Sequence, residues 1–226
     1  MNLSLRNRKV ALSRWRKISL EENKTLRDDE KTLIMKSALC GFLAGDGSLQ
    51  IRKEKNFYHY QLDFFPDNET MLKTYLNFIK KVYGKKPSVS FRDNVYVARL
   101  SSKFVVLDLL KESKFGIYEW SFPHRLFKNK GAKESWLKAF FSAEGYVGNK
   151  VIKIQSVNIK SLKKVLKLLL DFKIKGNYYE YKPKSRNHSK VGMIFINSKE
   201  SRINYFKLIG FWHSKKENNL RKALDL

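Results

Sequence analysis

The chain has 226 residues, enough for one large domain or two small ones, and its 42% hydrophobic and 14% aromatic content can build a real core. Its 47 Lys and Arg against 21 Asp and Glu give a formal net charge of +26, which favours a polyanionic partner and puts nucleic acid ahead of an anionic membrane. No apolar run approaches the roughly 18 residues of a membrane span, and Cys40 is the sole cysteine, which excludes an intrachain disulfide and a zinc finger and fits a reducing intracellular setting.

The stretch from Met1 to Leu20 carries Arg6, Arg8, Lys9, Arg14, Arg16 and Lys17, several serines and no acid. It reads as a basic nucleic-acid-contacting arm, with an organellar transit peptide as the alternative, and it lacks the apolar core of a secretory signal. Asp28 and Asp29 are candidate caps of a first helix with apolar positions Leu33, Ile34, Leu39, Phe42 and Leu43, ending at Asp46-Gly47. Alternation follows: Leu49 and Ile51 inward with Gln50 and Arg52 outward, then Tyr58, Tyr60, Leu62 and Phe64 inward with His59, Gln61 and Asp63 outward, as in a hairpin. After Pro66-Asp67-Asn68 a helix runs through Met71, Tyr75, Ile79 and Val82 to a stop at Gly84. A second hairpin turns at Asp93-Asn94, and Ser101 or Ser102 caps a helix holding Phe104, Val105, Leu109 and Leu110.

The order then repeats. A helix from about Ala132 leads to a short strand pair ending in Val151 to Gln155, and a helix with Leu162, Val165, Leu166, Leu169 and Leu170 follows. Strands from Tyr178 to Lys182 and from Val191 to Asn197 are joined by the basic loop 183–189, and a final helix and a Lys-rich tail complete the chain. Leu100-Ser101-Ser102-Lys103 is matched by Ile196-Asn197-Ser198-Lys199, an offset of 196 − 100 = 96. The division expected is a basic extension over 1–28, a first half over 29–125 and a second over 126–226.

The sharpest duplication lies in the two leading helices. Leu39-Cys40-Gly41-Phe42-Leu43-Ala44-Gly45-Asp46-Gly47 recurs as Leu137-Lys138-Ala139-Phe140-Phe141-Ser142-Ala143-Glu144-Gly145, an offset of 144 − 46 = 98. Gly41 and Gly45 are four apart, as are Ala139 and Ala143, so each helix bears small residues on one face where another backbone can approach closely. If the copies pack together, Asp46 and Glu144 emerge side by side and repel unless a divalent cation sits between them, a reason to expect Mg²⁺ rather than a salt bridge.

These paired segments resemble the motifs of the LAGLIDADG homing endonucleases, in the single-chain form that carries both copies. The resemblance implies an α+β fold: two pseudo-symmetric αββαββα half-domains forming a DNA-binding saddle, motif helices packed at the centre, in a monomer. It implies metal-dependent hydrolysis of both strands of a long double-stranded DNA target, with Mg²⁺ or Mn²⁺ held by Asp46 and Glu144 and by the carbonyls of Gly45 and Ala143. Gln155 matches a polar residue of the family's second strand, whereas Phe65 stands opposite it in the first half, so the two sites are expected to be unequal. Late basic residues near the phosphates map onto Lys215 or Lys216 and onto Lys128 or Lys130. Outward strand residues Gln50, Arg52, His59, Gln61, Asp63, Arg92, Arg99, Lys153, Lys182 and Lys190, with Arg186 of the basic loop, are the candidates for DNA contact.

The four histidines, His59, His124, His188 and His213, show no ligand spacing, and there is no Walker loop, dinucleotide fingerprint or nucleophile elbow. Two other functions fit the same fold: a maturase that binds intron RNA, and a DNA-binding protein without catalysis. In each case the expected setting is intracellular and nucleic-acid-associated, with organellar import left open by the N-terminal stretch.

Overall fold

The computed structural model describes residues 29–55, 57–182 and 189–226. The N-terminal basic stretch, Arg186 and most of the basic loop lie outside the described residues. The first repeat comprises helix α1 (Glu30–Asp46), strands β1 (Gly47–Glu54) and β2 (Phe57–Phe64), helix α2 (Glu69–Tyr83), strands β3 (Ser88–Arg92) and β4 (Val95–Ser101) and helix α3 (Lys103–Glu112). The second comprises α4 (Lys130–Glu144), β5 (Tyr146–Gly148), β6 (Val151–Ser156), α5 (Ile159–Leu170), β7 (Asn177–Tyr181), β8 (Val191–Ile196) and α6 (Lys199–Leu208). The strands form two antiparallel sheets of matching order, β1-β2-β4-β3 and β5-β6-β8-β7.

Local chemistry explains most boundaries. The side chain of Asp29 accepts from the Thr32 N–H to start α1, and Asn129, Ser102 and Asn158 cap α4, α3 and α5 in the same way. Gly84 ends α2 in the left-handed conformation, φ +63°, and Asp93 and Asn94 turn the β3–β4 hairpin with φ of 50° and 62°. The Lys-rich tail is not a tail: Ser214–Leu224 forms a further helix, α7, anchored by buried Leu220 and Leu224.

The helices α1 and α4 pack against each other at the centre. A methyl group added at Gly41 would lie 2.5 Å from the Trp136 carbonyl oxygen, and one at Gly45 would lie 2.5 Å from the Ala143 Cβ, so the backbones meet at a distance only these glycines permit. The buried Ser37 hydroxyl donates to the Ala132 carbonyl across the same seam at 2.7 Å. Each half then fills its core from one side of its sheet. Phe42, Phe64 and Tyr75 cluster in the first, with Phe64 and Tyr75 rings 4.4 Å apart. In the second, Trp120 of the connecting segment packs on Trp136 and Phe140. Among the described residues no helix covers the opposite face of the sheets, and in the second sheet half-covered Val191, Met193 and Phe195 alternate with buried Gly192, Ile194 and Ile196.

Candidate metal and nucleic-acid site

Because α1 and α4 touch at their last turns, their terminal acids converge. The Glu144 side chain lies against Gly45, its Cγ 3.2 Å from the position a Cβ would take. Asp46 is half-buried, and burial, followed by the neighbouring Glu144 charge, raises its carboxyl to about 7. Glu144 is more open to solvent, yet the surrounding protein raises its carboxyl as well, with Lys216 opposing. Both directions have the same meaning: these groups hold negative charge against the preference of their setting, which a cation would relieve.

One cation is already supplied by the chain. Lys216 of α7 places Nζ 2.6 Å from the Ser142 carbonyl and 2.7 Å from the Ala143 carbonyl. Burial lowers its pKa, and Asp67, Asp46 and Glu144 oppose that shift. The helix that delivers it begins at His213, whose Nδ1 accepts from the Lys216 N–H at 3.3 Å and whose Nε2 lies 3.2 Å from Asp67. Asp67 follows β2, and the Phe65 N–H donates to the Asp46 carbonyl at 2.9 Å, so this loop borders the first acid. On the other side a cavity of about 230 Å³ is lined by Gly45, Glu144, Gln155, Gly116, Ile117 and Val191 among others. Gln155 therefore stands with Glu144, whereas its counterpart beside Asp46 is Phe65.

The structure corrects several expectations. Lys215 is exposed, and its neighbour Lys216 is the residue that enters the site. Lys130 opens α4, about 20 Å from Glu144 at 1.5 Å per residue, and its ammonium lies over the Phe172 ring. Lys128 precedes it in a short 3₁₀ turn at the same far end. Asp63 shares the outward face with Gln61 and Arg99 but is covered there: its side chain is 4% exposed and is gripped by Arg99 at 2.8 and 3.1 Å and by Gln61 at 2.6 Å. The Ala143 carbonyl, expected as a metal ligand, is engaged by Lys216. Gln50, Arg52, His59, Gln61, Arg92 and Lys153 lie on strands with open or half-open side chains, Gln50 and Arg52 being hydrogen-bonded to each other. Arg99 is open but tied to Asp63, Lys190 is paired with Glu180, and Lys182 is exposed just past β7.

Among the described residues, no three His, Cys, Asp or Glu side chains gather into a metal cage. Two carboxylates with nearby carbonyls nevertheless suit Mg²⁺, which takes one or two carboxylates and completes its octahedron from water and substrate phosphate.

Two motif helices crossing through glycine and alanine, each closed by an acid and followed by a four-stranded sheet, define the LAGLIDADG fold. The fold is that of LAGLIDADG proteins with two motifs on one polypeptide, and residues 132–210 match the LAGLIDADG-like domain family. An uncharacterized protein of Methanocaldococcus jannaschii, MJ0398, is 25% identical over 97% of this chain and 84% of its own length. The probable cell division protein WhiA of Staphylococcus aureus is 23% identical over 84% of this chain, and the chain spans 61% of that relative. Among solved structures, a variant of the homing endonuclease I-DmoI in complex with its target DNA in the presence of Mg superposes with a TM-score of 0.64 at 21% identity, over 80% of this chain and 98% of that one.

Proposed function

We propose that this protein is a site-specific, metal-dependent endodeoxyribonuclease that acts as a monomer on double-stranded DNA and makes a double-strand break. The observation that carries the reading is the convergence of Asp46 and Glu144 at the ends of two interlocked helices, in a setting that penalises their negative charge. Asp46 and Glu144 would hold the metal, with the Gly45 carbonyl at hand and the Ala143 carbonyl shared with or released by Lys216. The chemistry such a divalent ion would supply is polarisation of the phosphodiester and a lowered pKa for a water.

The chain's own groups supply the rest. Lys216 brings a cation beside the scissile phosphate's path, while the Gln155 amide, which both donates and accepts, can orient a water over Glu144. The open sheet faces and the net charge of +26 bind the duplex. Affinity is expected to fall by roughly 10³ or more between 50 and 200 mM salt, measured by titration of labelled duplex.

The test is to incubate the protein with fragmented genomic DNA, with Mg²⁺ or with EDTA, and to sequence all new ends, with Asp46→Ala in parallel. Discrete Mg²⁺-dependent ends that vanish in the variant support the nuclease. Binding without ends favours the second reading, a DNA-binding protein that does not cut. That reading draws on the Lys216 ammonium at the Ala143 carbonyl and on the likeness to WhiA.

A further inference from the structure

The two open sheet faces are built from different chemistry. In the first, Gln50 is opposite Gln61, Arg52 is opposite His59 and Ser88 is opposite Arg99, so that directional donors and acceptors outnumber the apolar Phe57, Val95 and Val97 of the same face. In the second, Tyr146 is opposite Lys153, Lys153 is opposite Phe195, Met193 is opposite Gln155 and Tyr179, and Tyr181 is opposite Val191. These rings are not core. Ile152, Ile154, Ile194 and Ile196 point to the other side and are buried, whereas Tyr146, Tyr179 and Tyr181 are 58%, 54% and 53% exposed. The face is continuous with the site, because Gln155 and Val191 line the cavity at Glu144.

We propose that the two halves read their DNA half-sites by different means: the first sheet by hydrogen bonds to base edges, the second by apolar contact with thymine methyl groups in the major groove. This rests on the DNA-binding part of the function proposed above and not on cleavage. Glutamine and arginine side chains discriminate bases because their donor and acceptor geometry matches particular edges. A tyrosine hydroxyl donates or accepts, so it tolerates either kind of edge, while its ring and the side chains of Phe195 and Met193 reward a methyl group. Lysines edge the face, with Lys153 on it and Lys182 and Lys190 exposed at its rim, as a phosphate-flanked groove requires.

A duplex fits this face better than stacked single-stranded bases. The ring of Tyr179 meets that of Phe195 at 5.5 Å and 80°, and the Lys153 ammonium sits 5.6 Å from the Tyr146 ring centre. One π-face of the Tyr179–Phe195 pair and one of Tyr146 are thus already engaged, which leaves less of the continuous platform that stacked bases need.

The experiment is selection of bound duplexes from a randomised pool in EDTA, so that cleavage plays no part. The expected consensus is sharp in one half and loose, leaning to A·T, in the other. Arg52→Ala should relax the sharp half and so mark it as lying under the first sheet. Replacing thymine by deoxyuracil in the loose half should weaken binding roughly threefold to fourfold per contacted methyl, and the same replacement in the sharp half should change little. Tyr179→Ala with Phe195→Ala should remove the deoxyuracil effect, whereas Tyr179→Phe, which keeps the ring, should preserve it. Equal sharpness in both halves, or indifference to deoxyuracil in the loose half, overturns the proposal. So does a single-stranded oligonucleotide that competes better than duplex, which would make the second sheet a stacking platform. If no duplex is enriched, the DNA-binding reading fails first and the proposal with it; a protein that binds but never cuts leaves every arm of the test intact.

Discussion

Beside Asp46 stand Asp67, the backbone of Phe65 and the ammonium of Lys216, which also faces Glu144; beside Glu144 stand Gln155, Gly116 and Ile117. The backbone that carries these groups is nearly the same in both places, a motif helix entering the first strand of a four-stranded sheet. Duplication has therefore kept what sets position, the Gly41 and Gly45 contact with Ala139 and Ala143, while the surrounding side chains have diverged. A site that must act on two antiparallel DNA strands would then treat them unequally.

The largest expected effect comes from the acids. Asp46→Ala and Glu144→Ala should each abolish the double-strand break, and any residual nick should fall on opposite strands in the two variants, read on denaturing gels with each strand labelled. Nicks on the same strand would mean that the two acids serve one reaction centre and would break the comparison.

Next come the unequal neighbours. Lys216→Met and Gln155→Ala should slow cleavage by roughly 10²-fold, the lower range for a positioned proton-transfer or charge-stabilising group. Gln155→Ala should act on the strand cut at Glu144, and Lys216→Met chiefly on the other. A Lys216→Met defect equal on both strands would show that its charge acts on both carboxylates alike, more than through its place beside Asp67.

The third effect is on stability. The Asp46 carboxyl is raised to about 7 in the fold from an ordinary value near 3.8, so the folded state favours its protonated form. Stability is accordingly lost as pH rises from about 4 through about 7. In metal-free protein, Asp46→Asn should therefore melt higher than the wild type at pH 8, with the difference shrinking toward pH 5. A displacement of this size is worth roughly 4 kcal/mol at most, and partial exposure reduces it to about 1–2 kcal/mol. Calorimetry at several pH values in EDTA checks both sign and window, and added Mg²⁺ should narrow the gap.

What the sequence could convey depended on whether the deciding interactions were local. The motif pairing was legible because small residues at four-residue spacing and a following acid mark a close helix crossing, and the hairpins because Leu62 and Phe64 alternate with polar neighbours. Asp63 alternates correctly too, yet it is buried, since the register Asp63 opposite Arg99 gives it a bidentate partner that no local pattern announces. Helix α7 was missed because a histidine cap is not a strong start signal and Leu220 and Leu224 give it little apolar face. Without its phase, nothing distinguished Lys216 from Lys215. Lys130 came from the resemblance alone, and the length of α4 from Lys130 to Glu144 already places it at the far end from the acid.

The smallest effect tests how α7 holds Lys216 in place. His213 is buried, accepts from the Lys216 N–H through Nδ1, and meets Asp67 through Nε2, so one ring caps the helix and ties it to the loop after β2. Hydrogen bonding to His213 is the largest cause that lowers the Asp67 pKa, so this tie supports the fold above the ordinary aspartate range and is lost as pH falls through the lowered value. His213→Ala removes both roles and should cost about 1 kcal/mol, the usual worth of an N-cap, seen as a lower midpoint in denaturant. His213→Asn restores an acceptor for the helix N–H but not the reach to Asp67, so it should recover most of that stability. The strand-resolved cleavage of the two variants then separates cap from tether. If Lys216 is placed by the helix start alone, His213→Asn cuts both strands as the wild type does. If the bond to Asp67 is also needed, it reproduces the one-strand defect of Lys216→Met in a protein that is nearly as stable as the parent.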